Sequence, residues 1–400
     1  MIKKELMHIE GFIGNTVHSG VKYKNPDLSL IFSTIPCIAA GTFTKNLTIA
    51  APLIVTKAHL DNPIQALLVN SGNANAATGT QGYEDALATC SHVAKTLGIS
   101  ASQVLVSSTG VIGVPMPMEK IESGIAKVST NLTSENFKKI PKAMMTTDTF
   151  EKYGSLSIEI DGDIVTFNGM AKGSGMIHPN MATMLSFLTT NANISKEMLQ
   201  KALSEVVEDT FNMISVDGDT STNDMVIILS NQTAQHPLID SETESYQIIK
   251  SAVHELLEYL SIEIAKDGEG ASKLLSVHLT QAPSKKDART AAKSVITSSL
   301  VKSAFFGEDA NWGRILSSLG ASGATLDPKK VDLYFESSKG KIQLMDNGQP
   351  VLFSEEIAAK ILSENEILIH INLNMGVASA KAWGCDLTYD YVKINADYRS

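Results

Sequence analysis

The chain has 400 residues, 43% of them hydrophobic and 19% charged, a balance that excludes wholesale disorder and provides for a sizeable core. Its net charge of −10 works against a nucleic-acid backbone as main partner, because that contact depends on a basic face. No run reaches the roughly 18 uninterrupted apolar residues of a membrane helix, and Met1 to Glu10 carries two lysines with no apolar stretch behind them, so a cytoplasmic address is expected.

Cys37, Cys90 and Cys385 have no paired spacing and read as buried small hydrophobes. Leu28 to Thr34 begins with alternation and reads as a strand; Ala66 to Asn70 is a short apolar run of the buried-strand kind. Between them Gly41 to Asn46 reads as a polar turn that could face a ligand. Asn70-Ser-Gly-Asn-Ala-Asn-Ala-Ala-Thr-Gly79 follows a strand, and its amides either offer donors to a ligand or form an Asx-turn cluster that satisfies its own backbone. The next helix places Leu87, Cys90, Ala94 and Leu97 on one face and stops at Gly98.

Gln103 to Ser108 reads as a strand running into Thr109-Gly-Val-Ile-Gly113. A hydroxyl and backbone N–H groups at such a tip are the donors an oxyanion needs, although strand ends of this type are also ordinary turns. Pro115 and Pro117 introduce a helix with Ile121, Ile125 and Val128 on its buried side. Thr146-Thr-Asp-Thr149 is a hydroxyl-rich loop or a cap, and Asp161-Gly162 sets a hairpin turn between Leu156 and Phe167.

That hairpin leads into Asn168-Gly-Met-Ala-Lys-Gly-Ser-Gly-Met-Ile-His-Pro-Asn-Met-Ala-Thr-Met-Leu-Ser-Phe187. The Thr183 hydroxyl is one five-membered ring away from the Ala182 carbonyl carbon, so a bent peptide would allow an N-to-O acyl shift and hydrolysis of the resulting ester. The freed α-amine, with a reference pKa of roughly 7.7–8.0, is then a base tethered to its own nucleophile. Gly173 and Gly175 would permit the backbone angles of a tight approach, and Lys172 would supply positive charge. The same residues also read as a glycine turn and the start of a buried strand.

Leu185 to Leu188 continues as a strand, and Met198, Leu199, Ala202, Leu203 and Val206 define an amphipathic helix. Ser215-Val-Asp-Gly-Asp-Thr-Ser-Thr-Asn-Asp224 starts like a calcium loop but lacks its later glycine and terminal glutamate, so no metal is expected; a strand, Met225 to Leu229, follows. Ser241 to Glu244 reads as a capping box above a helix with Val253, Leu256, Leu257, Leu260 and Ile264 on one face. Glu269, between two glycines, is expected at an exposed turn, where it either receives a substrate ammonium or is merely solvated.

Ser284 to Asp287 caps a helix carrying Ala288, Ala291, Ala292 and Val295, and Phe306 to Arg314 is a polar, glycine-flanked segment with one cation. Short strands and one helix are expected from about Asp327 to Ile371. Alternation from Leu387 to Ile394 reads as a strand, which would let Asn395 and Ser400 line a site.

Ala171-Lys-Gly-Ser-Gly-Met-Ile and Met181-Ala-Thr-Met-Leu resemble the processing and nucleophile motif of the ornithine acetyltransferases, or glutamate N-acetyltransferases, of arginine biosynthesis. The likeness extends in order through Asn70 to Ala76, Ser107 to Gly113, Met145 to Thr149, Asp217 to Asp224, Gly307 to Arg314 and Trp383 to Ala396. It implies an α/β fold, an αββα-type layered sandwich with a second, smaller α/β domain, self-cleaved into chains 1–182 and 183–400, with a subdomain around 285–390. By that resemblance Thr183 is the nucleophile, and cleavage falls between Ala182 and Thr183. Thr109 and Gly110 form the oxyanion hole, and Thr146, Lys172, Thr183, Glu269, Asn395 and Ser400 contact substrate. Ser400 stands where the family usually ends in threonine; Lys381 and Ala76-Ala77 also differ from its usual forms.

The activity implied is ping-pong transfer of an acetyl group from N2-acetyl-L-ornithine to L-glutamate without a cofactor; some members of the family also take acetyl-CoA as donor. An α2β2 heterotetramer is the assembly implied. Two other readings stay open: an N-terminal-nucleophile amidohydrolase or aminopeptidase of related fold, and a non-catalytic binding protein in which Thr183 is a core residue.

Overall fold

The computed structural model describes residues 1–178 and 184–397. The chain divides into two compact units: Met1–Gly173, Pro179–Glu208 and Thr220–Leu260 form the first; Ser174–His178, Asp209–Asp219 and Ser261–Ser400 form the second and smaller.

The first unit is built on one 16-residue strand, Leu28–Phe43. Its first half pairs antiparallel with Phe12–Val17 on one side and Ile64–Asn73 on the other; its second half pairs with Met225–Ser230. The register breaks between Phe32 and Cys37, around Pro36, which has no N–H to give to a ladder. Gly41 to Phe43, expected as a turn, belongs to this strand, because Ala39 to Phe43 find ladder partners from Leu229 to Met225. The sheet runs Val104–Val111, Ile64–Asn73, Leu28–Phe43, Met225–Ser230, Leu185–Thr190, Asp163–Lys172, Lys152–Ile160.

Period-two alternation serves two buried faces. Leu28, Leu30, Ala66, Leu68, Val104 and Val106 pack against Cys90, Val93 and Ala94 of helix Gly79–Leu97 and against Ile121, Ile125 and Val128 of helix Met118–Val128. Ile31, Leu67, Val69 and Leu105 face the opposite way, among Phe137, Ile140, Met144 and Phe187. Gly98 ends the first of these helices in the left-handed region at φ 70, its N–H donating to the Ala94 carbonyl. Leu87 is exposed on that helix, and Ala86 and Val93 occupy the buried face instead. Asp161 and Gly162 both have positive φ, 50 and 82, as a two-residue type I′ hairpin requires, and Ile160 pairs with Asp163.

Helix Glu244–Lys266 begins later than the capping box at Ser241 implied: the Tyr246 N–H donates to the Thr243 hydroxyl at 3.3 Å. Val253, Leu256, Leu257, Leu260 and Ile264 are buried along it, as their spacing implies.

The second unit has a seven-stranded sheet in the order Gln349–Pro350, Gly340–Asp346, Asp332–Ser337, Glu366–Asn372, Leu274–Ala282, Ala378–Cys385, Ile214–Ser215. Helix Lys285–Thr297 packs on Leu274–Ala282 and Ala378–Cys385 through Ala288, Ala291, Ala292 and Val295, whose small side chains let it lie close to the sheet. Arg314, the cation of the polar, glycine-flanked segment, lies in helix Trp312–Ala321, capped by Asn311, and its guanidinium donates to the Leu300 carbonyl.

The segment expected as a terminal strand is a helix, Tyr389–Ala396, opened by Thr388, whose hydroxyl accepts from the Tyr391 N–H. None of its residues is fully buried, so the alternation there did not report a sheet face. The fold is thus mixed α/β with two sheets, the second in a smaller α/β unit. Among the described residues no helix is long and apolar enough to cross a membrane.

Candidate active site

In the first unit, Val104–Val111 runs parallel to Ile64–Asn73 until Gly110 stands opposite Gly72, where Asn73 pairs with both Thr109 and Val111. Gly110 has φ +135, and a Cβ on it would lie 2.3 Å from the Gly72 carbonyl carbon, so only glycine fits. Thr109 is buried beside it, and the Lys172 ammonium donates to its hydroxyl at 3.4 Å. Two of the residues expected to act together, Thr109 and Lys172, are therefore in contact.

The asparagine-rich loop that follows Ile64–Asn73 is knit to the protein backbone. Asn70 donates to the Asn73 carbonyl, Asn73 donates to the Val114 and Pro115 carbonyls and accepts from the Asn75 N–H, and Asn75 donates to the Gly82 carbonyl. Its amides serve backbone satisfaction, the second of the two readings. Asn223, from the acidic loop, joins it by donating to the Ala74 and Ser108 carbonyls at 2.6 and 2.9 Å.

Lys172 ends the strand Asp163–Lys172 and is buried. Next to it, Asp148 organises the surroundings: one carboxylate oxygen accepts from the Lys152 ammonium and the Gly173 N–H, both at 2.7 Å, and the other accepts from the Thr146 N–H at 2.9 Å. Burial pushes the Asp148 carboxyl up, but the charges of Lys172 and Lys152 and the hydrogen bonds from Lys152 and Thr146 outweigh it and hold the group well below the usual carboxylate range. Thr146 thus sits in a loop pinned by a buried ion pair.

Lys22 completes this region. Its ammonium donates to the carbonyls of Pro26, Ala143 and Met145, and burial, aided by the charge of Lys172 and opposed by Asp27, lowers it to about 8. The sequence reading named Thr146 and Lys172 but missed Lys22, Asp148 as an ion-pair centre, and Lys152. No local signal marked Lys152, which opens its strand between Glu151 and Tyr153.

In the second unit, Glu269 is 8% exposed rather than at the exposed turn expected from its flanking glycines. The turn folds inward because the Glu269 N–H donates to the Ser174 carbonyl at 3.1 Å, while the Ser174 hydroxyl donates to the Asp267 carbonyl at 2.6 Å. The Asn395 amide donates to its carboxylate at 2.8 Å, so these two expected site residues are also in contact. Gly175 is needed for space rather than for a special backbone angle: a Cβ there would lie 2.2 Å from the Glu269 carboxylate carbon. Gly270, at φ +67, would meet the Tyr391 nitrogen at 2.6 Å, and so admits the start of the C-terminal helix that carries Asn395. The Tyr391 hydroxyl is pushed up by burial and by the charges of Asp217, Asp219 and Glu269.

Asp217 itself accepts main-chain N–H groups, from Met176, Ile177 and Asp219. Among the described residues no group of three or more histidine, cysteine, aspartate or glutamate side chains is arranged to hold a metal. Cys37, Cys90 and Cys385 are buried free thiols; burial pushes the first two up to about 12. Ala182, Thr183 and Ser400 lie outside the described residues.

The sequence model of the ArgJ family matches residues 14–400. An arginine biosynthesis bifunctional protein ArgJ from Clostridium acetobutylicum is 51% identical over 399 residues, covering 99% of this chain and 98% of its own. The counterpart from Thermotoga neapolitana is 50% identical, covering 98% of this chain and 99% of its own. A crystal structure of the ArgJ protein of Bacillus halodurans, 44% identical, superposes with a TM-score of 0.51 over 54% of this chain and 99% of that one. Matched along almost its whole length, the chain belongs to the ArgJ family.

Proposed function

We propose that this enzyme, an acetyltransferase of arginine biosynthesis, moves the acetyl group of N2-acetyl-L-ornithine to L-glutamate through an acetyl-Thr183 intermediate. The observation that carries the proposal is the strand tip where Gly110, fixed against Gly72, adjoins Thr109 and the Lys172 ammonium contacts the Thr109 hydroxyl. A fixed backbone N–H beside a hydroxyl and a cation is the donor set that a developing oxyanion requires.

The nucleophile is made first. The Thr183 oxygen bonds to the Ala182 carbonyl carbon, the carbon–nitrogen bond breaks, and the hydroxyl proton ends on the new amine. Water then adds to the ester, leaving the Ala182 carboxylate and restoring the Thr183 hydroxyl, so chains 1–182 and 183–400 result.

In transfer, the Thr183 α-amine takes the hydroxyl proton as the oxygen attacks the acetyl carbonyl. Thr109 and the Gly110 N–H hold the tetrahedral oxyanion; collapse breaks the amide bond, and ornithine leaves with the proton. The glutamate α-amine next attacks the ester, and N-acetylglutamate departs as the Thr183 hydroxyl regains its proton. Lys172 takes the α-carboxylate common to both amino acids, Glu269 an ammonium, and Thr146, Asn395 and Ser400 the remaining polar contacts. The relatives are named bifunctional proteins, which supports testing acetyl-CoA as a second donor to glutamate. No cofactor is required by this cycle, and we place the enzyme in the cytoplasm as an α2β2 assembly of the two chains.

The test is to incubate the enzyme with N-acetylornithine, with and without glutamate, and to quantify N-acetylglutamate and acetate. Stoichiometric N-acetylglutamate supports transfer. Acetate release that ignores glutamate favours an amidohydrolase, and no turnover favours a binding protein.

A further inference from the structure

The acidic loop around Asp217 has no part in the transfer cycle just described, yet its contacts fall on the segment that leads to the cleavage bond. The Asp217 carboxylate accepts the Met176 N–H at 2.6 Å on one oxygen and the Ile177 N–H at 2.9 Å on the other. Val216, next to it, donates its N–H to the Ile177 carbonyl at 2.7 Å, and the Ser215 hydroxyl lies 3.1 Å from the His178 Nδ1. Residues 176 to 178 are thus joined one after another to residues 215 to 217.

Two further features show that this junction is imposed on the chain rather than tolerated by it. Met176 has φ 56, in the left-handed region that a methionine rarely adopts and keeps only where surrounding contacts over-determine it. That conformation turns two successive N–H groups toward one carboxylate, the manner in which backbone concavities bind anions. On the loop side, Gly218 at φ +85 folds the chain back so that the Asp219 N–H also reaches Asp217, at 3.2 Å. The Ile177 side chain is buried beneath the junction.

We propose that Asp217 is a positioning residue for self-cleavage: by fixing Met176 and Ile177 it aligns the Ala182–Thr183 peptide for attack by the Thr183 hydroxyl. This rests on the self-cleavage proposed above. The scissile peptide begins five residues beyond Ile177, so an anchor there confines it to within roughly 17 Å at full extension. Intramolecular attack depends on holding the reacting atoms near 3 Å apart, and freedom in the approach segment dilutes that geometry. The carboxylate takes no proton and forms no bond; oxygen, nitrogen and water exchange at residues 182 and 183 as set out above.

The experiment follows the full-length chain after rapid synthesis, reading the cut fraction against time by denaturing mass spectrometry. Wild type, Asp217→Asn, Asp217→Ser, Asp217→Glu and Thr183→Ala are compared at a temperature well below each unfolding midpoint. Asparagine presents an N–H2 where one amide needs an acceptor, and serine offers a single acceptor. Both should slow cleavage at least tenfold, while glutamate, which keeps the charge, should restore part of the rate. Hydroxylamine, which cleaves esters, should not rescue the slow variants, because the impaired step is the one that forms the ester.

A merely structural role would lower the midpoint and leave the rate of the folded chain unchanged. Folded Asp217→Asn or Asp217→Ser cutting within twofold of wild type would overturn the proposal, as would full rescue by hydroxylamine. An uncut wild type, identical to Thr183→Ala, would overturn the self-cleavage reading and this proposal with it, and is distinguished from failure of the Asp217 role by the wild-type trace alone.

Discussion

Gly110 faces Gly72 across two parallel strands so closely that a methyl group on Gly110 would stand 2.3 Å from the Gly72 carbonyl carbon and 2.5 Å from the Asn73 nitrogen. No Cβ is accommodated at that separation, and φ +135 is itself foreign to an L side chain. Gly110→Ala should therefore push the strand tip away from Gly72 and carry the Gly110 N–H out of place. Loss of one oxyanion donor costs roughly 10²–10³-fold in kcat, and a drop of that order is expected in the folded fraction. Steady-state kinetics with a thermal melt on the same sample checks it; unchanged kcat would remove Gly110 from the oxyanion hole.

Asp148 and Lys152 form a buried pair with both side chains shielded from solvent. Replacing one member leaves the other charge uncompensated, which costs about 3–5 kcal/mol. Asp148→Asn should lose that much in a denaturant titration at neutral pH. The folded Asp148 carboxyl is depressed, so its stabilisation is fully present above the unfolded value of roughly 3.9 and is lost as pH falls below that toward the folded value. Wild type should lose stability steeply in acid, and Asp148→Asn should show a shallower decline.

Lys22 gives a slope of the same sign in a higher pH window, though here burial of the ammonium rather than an ion pair sets it. Its ammonium is lowered from 10.5 to about 8, so between those values the unfolded chain binds more protons than the folded one and stability rises with pH. Lys22→Met lacks this dependence. The stability of wild type relative to the variant should grow between pH 8 and pH 10.5, measured by paired urea titrations; a constant difference would contradict the burial-driven shift.

Gly175 has no positive φ, so alanine there is not strained by its backbone; its methyl meets the Glu269 carboxylate. The carboxylate must swing away from the Asn395 amide that now donates to it. If Glu269 receives the substrate ammonium, Gly175→Ala should raise KM at least tenfold with a smaller change in kcat. Equal loss in both parameters would argue against a ground-state binding role.

Much of the scaffold is legible from local chemistry. Asp161-Gly162 specifies its hairpin, Gly98 stops its helix, and the small residues Ala288, Ala291 and Ala292 mark a helix face that lies close on a sheet. The site was legible as a set of motifs, and two of its pairs, Thr109 with Lys172 and Glu269 with Asn395, are in contact. What was not legible depends on distant partners. The polarity of Asp267-Gly-Glu-Gly reads as exposure until Ser174 folds it inward. Asp148 reads as a cap until Lys152 and Gly173 converge on it. Leu387 to Ile394 alternates like a strand, and the helix shows only once the Thr388 hydroxyl accepts the Tyr391 N–H. Thr183 itself lies outside the described residues.

The central claim is that Thr183, once freed, carries the acetyl group. The most direct measurement is the denatured mass of the purified wild-type enzyme after incubation with N-acetylornithine alone, and again after glutamate is added. Two fragments are predicted, 1–182 and 183–400, the second one acetyl group heavier, with that group leaving as N-acetylglutamate appears. An uncut chain, or a 183–400 fragment that never gains an acetyl group while exchange proceeds, would contradict the account.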